Sequence, residues 1–228
     1  MTAEIAPLNL ERLALVRPLL ADDIALAVEN PLGQLPQPFA EESACLSPNA
    51  VEKRQREFAA GRAAAHQAMQ MLGQQPRAIV VAENRAPVWP DHLVGSITHT
   101  RSCAMAVVAP KREVLGLGID VEEDKPLADD LWPAICSAQE QDWLRQQDNP
   151  GQLAKLMFSA KEAAYKCQFT LSERYYGFDG MELTIDLENR RFAARFCADQ
   201  PPFNCGDQIC GRFAIGAGVI ATIAELRG

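Results

Sequence analysis

Two carboxylates stand two residues apart in the segment Leu115-Gly-Leu-Gly-Ile-Asp-Val-Glu-Glu123. Side chains alternate along a strand, so Gly116, Gly118, Asp120 and Glu122 share one face and Leu115, Leu117, Ile119 and Val121 the other. Paired acids of this kind are either a solvated strand end or a site for magnesium, a hard ion that combines a few carboxylate oxygens with phosphate and water. A second polar group lies in Phe158-Ser-Ala-Lys-Glu-Ala-Ala-Tyr-Lys166. At about 100° per residue, Lys155, Ser159, Glu162 and Lys166 fall within about 60° of one another, and Lys161 points elsewhere. Taken alone, that stripe reads as a solvent face with a Glu162–Lys166 pair. In Gly95-Ser-Ile-Thr-His-Thr100, the residues Thr98 and His99 offer a hydroxyl and an imidazole that could donate to a phosphate, although a lone histidine serves as readily in a structural role. Arg62 falls on the apolar side of a helical pattern, where it needs an anion or must snorkel outward. With Arg54 and Arg85 it makes a candidate anion pocket.

The elements that must carry these groups follow from local chemistry. Ser47-Pro48 predicts an N-cap and first helical position for a helix running to about Leu72, with Gly73 placed for its C-terminal cap and an apolar stripe of Val51, Phe58, Ala65, Met69 and Leu72. Short β-rich runs follow at 78–82, 94–98, 103–109 and 114–121, divided by Pro and Asn clusters. Ser137-x-x-Glu140 predicts a capping box for a short helix, and a longer helix spans about 152–168. The tail reads as strands at 180–187 and 191–197, then one small-residue run over 213–226. Residues 1–46 are loosely patterned, with Pro31, Pro36 and Pro38 marking a loop. Helix followed by strands thus occurs on either side of about residue 112, which gives an α+β class with halves 1–112 and 113–228.

Composition narrows the partners. A net charge of −8 argues against nucleic acid and anionic membrane, so any anionic ligand must be held by local basic groups. Charged residues interrupt the first thirty positions too often for a signal peptide, and no apolar run is long enough to span a bilayer. The cysteines stand at 45, 103, 136, 167, 197, 205 and 210, an odd number without a Cys-x-x-Cys pair. Reduced thiols in a cytoplasmic, monomeric protein are expected, and a structural zinc site is not.

Taken in order, Arg54–Arg62, Pro87-Val-Trp-Pro90 with Gly95–His99, Gly118-Ile-Asp-Val-Glu122 and Phe158–Lys166 resemble the 4'-phosphopantetheinyl transferases of the larger, surfactin-synthetase-activating type, and most closely the enterobactin synthetase component D branch. The resemblance covers about residues 47–185. It implies a pseudo-dimer of two similar α+β halves with coenzyme A in the cleft between them. It also implies magnesium on the coenzyme's pyrophosphate, held by Asp120, Glu122 and Glu162. Glu162 then also acts as base toward the serine of an apo acyl or peptidyl carrier protein. By the same resemblance Lys166 meets the pyrophosphate, Thr98 and His99 meet phosphate, and Arg54, Arg62 and Arg85 hold the nucleotide end. Two other readings keep the same residues: a metal-dependent coenzyme A or nucleotide pyrophosphatase, and a non-catalytic module that binds carrier protein or coenzyme.

Overall fold

A strand that alternates glycine and acid with large aliphatics has one thin face and one thick one, and the fold is organised around that asymmetry. The computed structural model describes residues 7–228. Helices are α1 (Pro7–Val16), α2 (Ala40–Ser43), α3 (Glu52–Met71), α4 (Trp132–Ile135), α5 (Ala138–Leu144) and α6 (Pro150–Ser172). Strands are β1 (Ala25–Glu29), β2 (Leu93–His99), β3 (Ala104–Pro110), β4 (Val114–Glu123), β5 (Met181–Asp186), β6 (Arg191–Phe196), β7 (Gln208–Gly216) and β8 (Val219–Arg227). They form two sheets, β1-β3-β2 and β4-β8-β7-β6-β5, with every neighbouring pair antiparallel. The α+β class is borne out, as is a pair of halves in which one long helix packs on each sheet.

Three apolar clusters hold these layers. Ala64, Ala65, Ala68 and Met69 of α3 meet Ala106 and Val108 of β3. Leu156, Ala160, Ala163 and Ala164 of α6 meet Phe192 and Phe196 of β6 with Ile220 and Ala224 of β8. Between the sheets, Leu117, Ile119 and Val121 of β4 pack with Val107 of β3 and Leu26 of β1. The thick face of β4 is therefore the inter-sheet core. Its thin face admits α6 so closely that a Cβ on Gly118 would lie 2.7 Å from the backbone nitrogen of Cys167, and nearer still to the carbonyl of Ala163. Only glycine allows that approach.

Several sequence expectations need correction. The helix expected from Ser47 begins at Glu52, with Val51 at its N-cap. Ser47 instead closes a local turn, its hydroxyl accepting from Asn49 N–H and its carbonyl from Ala50 N–H. Val51, assigned to the apolar stripe, is exposed. Residues 78–82 contribute only a bridge between Val81 and Pro87. The single run over 213–226 is a hairpin, because Ala217 and Gly218 both take positive φ (48° and 74°) and turn β7 into β8. Strand β1 and helix α1, in the segment read as loosely patterned, were not foreseen. Leu115 is exposed because the register shifts between Val114 and Gly116, and Val114 fills the core instead. The capping box at Ser137 and Glu140 forms as expected.

Candidate functional site

The chemistry-bearing segments converge where β2 meets β4 beneath α6. β2 and β4 share no backbone ladder, and two hydroxyls stitch them together. Ser96 Oγ accepts from Ile119 N–H at 3.1 Å, and Thr98 Oγ1 accepts from Val121 N–H at 3.2 Å. Thr98 then donates to Asp120 Oδ1 at 3.0 Å. From the helix side, Lys166 Nζ donates to the same Oδ1 at 2.7 Å and to the Ile119 carbonyl at 3.1 Å. Lys155 Nζ reaches Glu122 Oε2 at 3.1 Å. The polar stripe of α6 therefore faces the acids of β4 and not solvent, and Lys166 turns to Asp120 and not to Glu162. Ser159, also assigned to that stripe, is fully buried and bonded to Thr222 of β8 at 2.9 Å.

Electrostatics tie the three acids to one locus. Burial raises the carboxyl of Glu162 above its ordinary range; Lys166 opposes this, and Asp120 and Glu122 add to it. Burial likewise raises Glu122, with Asp120 adding to the rise and Lys155 lowering it. Each acid disfavours the charged form of its neighbours, and a bound cation would relieve that repulsion. Asp120 Oδ2 is buried and, among the described residues, has no hydrogen-bond partner. An orphaned carboxylate oxygen beside two further acids fits a hard divalent ion. Among the described residues, no three His, Cys, Asp or Glu side chains are gathered tightly enough to hold a metal alone. A phosphate-bearing ligand would have to complete the coordination.

Beside this locus opens a cavity of about 550 Å³ lined by Arg54, Arg62, Arg85, Trp89, His99, Lys111, Tyr165, Lys166 and Tyr175, among others. Arg62, 6% exposed, stacks its guanidinium 4.3 Å from the Phe58 ring centroid, and its Nε has no hydrogen-bond partner among the described residues. Its nearest carboxylate is that of Glu42, at 4.0 Å. Burial lowers the Arg62 pKa. Arg54 Nη1 donates to His99 Nε2 at 3.0 Å, so that nitrogen must be the acceptor and the imidazole is neutral with its proton on Nδ1, toward Glu57. Burial lowers the His99 pKa, consistent with that state. Arg85 sits in a tight turn at φ 69°. Thr98 does not line the cavity. Nor do Asp120, Glu122 and Glu162. The Thr98 hydroxyl is engaged with Asp120 and Val121.

Some contributors were not singled out from sequence. Glu57, three residues after Arg54 on α3, could have been found by helical spacing. Glu42 could not, since the one-turn helix α2 that carries it is too short to show a period; it is fully buried and accepts from Ile79 N–H, Phe39 N–H and His66. Lys161, which the helical wheel places away from the polar stripe, is 4% exposed. It is bound by Glu140 at 2.8 Å and by the carbonyls of Ile135 and Phe178.

Comparison with known proteins gives a consistent match. Residues 41–109 match the model of the 4'-phosphopantetheinyl transferase N-terminal domain, and residues 116–217 that of the 4'-phosphopantetheinyl transferase superfamily. 4'-Phosphopantetheinyl transferase PptT of Mycobacterium tuberculosis is 32% identical over 217 residues, covering 90% of this chain and 93% of that protein. Svp of Streptomyces mobaraensis is 35% identical over 191 residues, covering 81% of this chain and 76% of that protein. Npt of Nocardia iowensis is 37% identical over 139 residues, 61% of this chain and 63% of that protein.

Proposed function

This chain belongs to the 4'-phosphopantetheinyl transferase superfamily, and we propose that it transfers 4'-phosphopantetheine from coenzyme A to a serine of an apo acyl or peptidyl carrier protein. The observation that carries the reading is the meeting of β4 acids, α6 acid and lysine, and β2 histidine beside one basic cavity. A division of the chain into halves near residue 112 is part of this reading, and the gap between the matched segments 41–109 and 116–217 supports it. No helix among the described residues is long and apolar enough to cross a membrane. All seven cysteines are free thiols, which supports a reducing, cytoplasmic setting.

The coenzyme's nucleotide end would lie against Arg54, Arg62 and Arg85, where a phosphate would supply the partner that Arg62 Nε lacks. Lys166 would meet the pyrophosphate, and His99 would join it only with Arg54 drawn from Nε2 to the phosphate and that nitrogen protonated. Asp120, Glu122 and Glu162 would hold magnesium, which when bound neutralises charge on the transferring phosphoryl group. Glu162 would take the proton of the carrier serine; its burial makes the carboxylate a stronger base than one in water. The serine oxygen bonds to the β-phosphorus as the bond from that phosphorus to the bridging oxygen breaks. The electron pair leaves on adenosine 3',5'-bisphosphate.

Thermal stability tests the site directly. Magnesium and coenzyme A together should raise the melting temperature well beyond the sum of their separate effects, because each completes the other's contacts. Asp120→Asn should remove the magnesium-dependent part. Equal coenzyme stabilisation in magnesium and in excess chelator would reject the metal assignment.

A further inference from the structure

We infer that Thr98 is a positioning residue for Asp120: its hydroxyl, fixed by the other half of the chain, sets which oxygen of that carboxylate is left for the cation. A hydroxyl has one proton and two acceptor lone pairs. Thr98 Oγ1 accepts from Val121 N–H and directs its proton to Asp120 Oδ1. The side chain is β-branched and 5% exposed, so it has little freedom about χ1. Oδ1 therefore receives two donors, Thr98 and Lys166, while Oδ2 of the same group receives none. A carboxylate held at one oxygen presents the other in a defined direction, as hydrogen bonds to a ligating group do at metal sites generally. The hydroxyl comes from β2 and the acid from β4, so Asp120 is oriented across the junction of the two sheets.

This inference rests on the carboxylates binding magnesium, and the test keeps the two claims apart. Thr98→Val keeps the shape and removes the donor; Thr98→Ser keeps the donor. Manganese(II) binding in the presence of coenzyme A, followed by electron paramagnetic resonance, reads metal affinity without turnover. Magnesium half-saturation of carrier loading gives a second reading. Thr98→Val should weaken manganese binding about tenfold or more and raise the magnesium requirement in parallel, while Thr98→Ser stays within about threefold of the parent. Thr98→Ala carries the same expectation if valine does not fold. Ser96→Ala removes the neighbouring stitch without touching Asp120, so it should lower the melting temperature and leave manganese affinity unchanged. A lower melting temperature in Thr98→Val with parental manganese affinity would overturn the inference. So would a higher KM for coenzyme A at unchanged metal affinity, which would make Thr98 a substrate contact. In either case a parent protein that loads a carrier keeps the functional reading intact. If the parent binds no metal with coenzyme A and loads no carrier, the functional reading itself fails.

Discussion

Gly118→Ala should separate the two elements that build the site. The added Cβ would stand 2.7 Å from Cys167 N and closer to the Ala163 carbonyl, where ordinary contacts begin near about 3.5 Å. Both obstacles are backbone of α6, so no side-chain rotation relieves them, and the helix must retreat from β4 by about 1.5 Å. Overpacking of this kind costs about 3 kcal/mol, the upper part of the usual range. For a chain of this size that lowers the melting temperature by about 6–12 °C. The same retreat stretches the 2.7 Å Lys166–Asp120 bond, and a misplacement of about 1 Å costs about a hundredfold in turnover. Calorimetric melting and the initial rate of carrier loading would be measured together, with Gly216→Ala as control. At Gly216 the new methyl meets only the Leu15 side chain, at 3.3 Å, so stability should stay within about 1 kcal/mol of the parent. A Gly118→Ala protein with parental melting temperature and rate would show that close approach does not place this helix.

Other outcomes are equally definite. Lys161→Met leaves Glu140 buried without its charge partner and should cost about 3–5 kcal/mol in chemical denaturation; a loss below about 1 kcal/mol would mean the pair is dispensable. Arg62→Ala should weaken coenzyme A binding by more than about 1.5 kcal/mol in calorimetry, and a fall in melting temperature at unchanged affinity would reduce the residue to packing. His99 has a folded pKa lowered from 6.5 by burial, so the unfolded chain binds its proton first on acidification. Its contribution to stability is intact above pH 6.5 and is lost as the pH falls toward the folded value; the parent-minus-His99→Gln difference in denaturation free energy should show that slope. Glu162→Gln should abolish most transfer while leaving the melting temperature of the free protein unlowered, because the neutral amide removes the base and also a buried charge.

Much of this site was legible because strand and helix periods are rigid. Alternation alone put Asp120 and Glu122 on the glycine face of β4, and the helical wheel put Lys155, Glu162 and Lys166 on one side of α6. Sequence could not say that these two faces meet, so the α6 stripe read as solvent-facing. The decisive facts were close approaches, such as Gly118 against Ala163 and Cys167, that join residues far apart in the chain. Arg12 illustrates the same limit. It is 2% exposed and donates to Ala217 and Ser102 carbonyls, tying the first helix to two distant turns. No local pattern announces such a role. Ser47 failed for a different reason: its hydroxyl had a competing local turn available, and the helix starts four residues later, capped at Val51.

The central claim is that this site transfers phosphopantetheine and does not merely bind or hydrolyse coenzyme A. Intact-mass analysis of apo-carrier proteins, each incubated with this protein, coenzyme A and magnesium, decides it. The expected result is a gain of one phosphopantetheinyl group on the carrier and none when its acceptor serine is replaced by alanine. Release of 4'-phosphopantetheine with every carrier left unmodified would contradict the account in favour of a pyrophosphatase, and tight coenzyme binding with no product would contradict it in favour of a non-catalytic module.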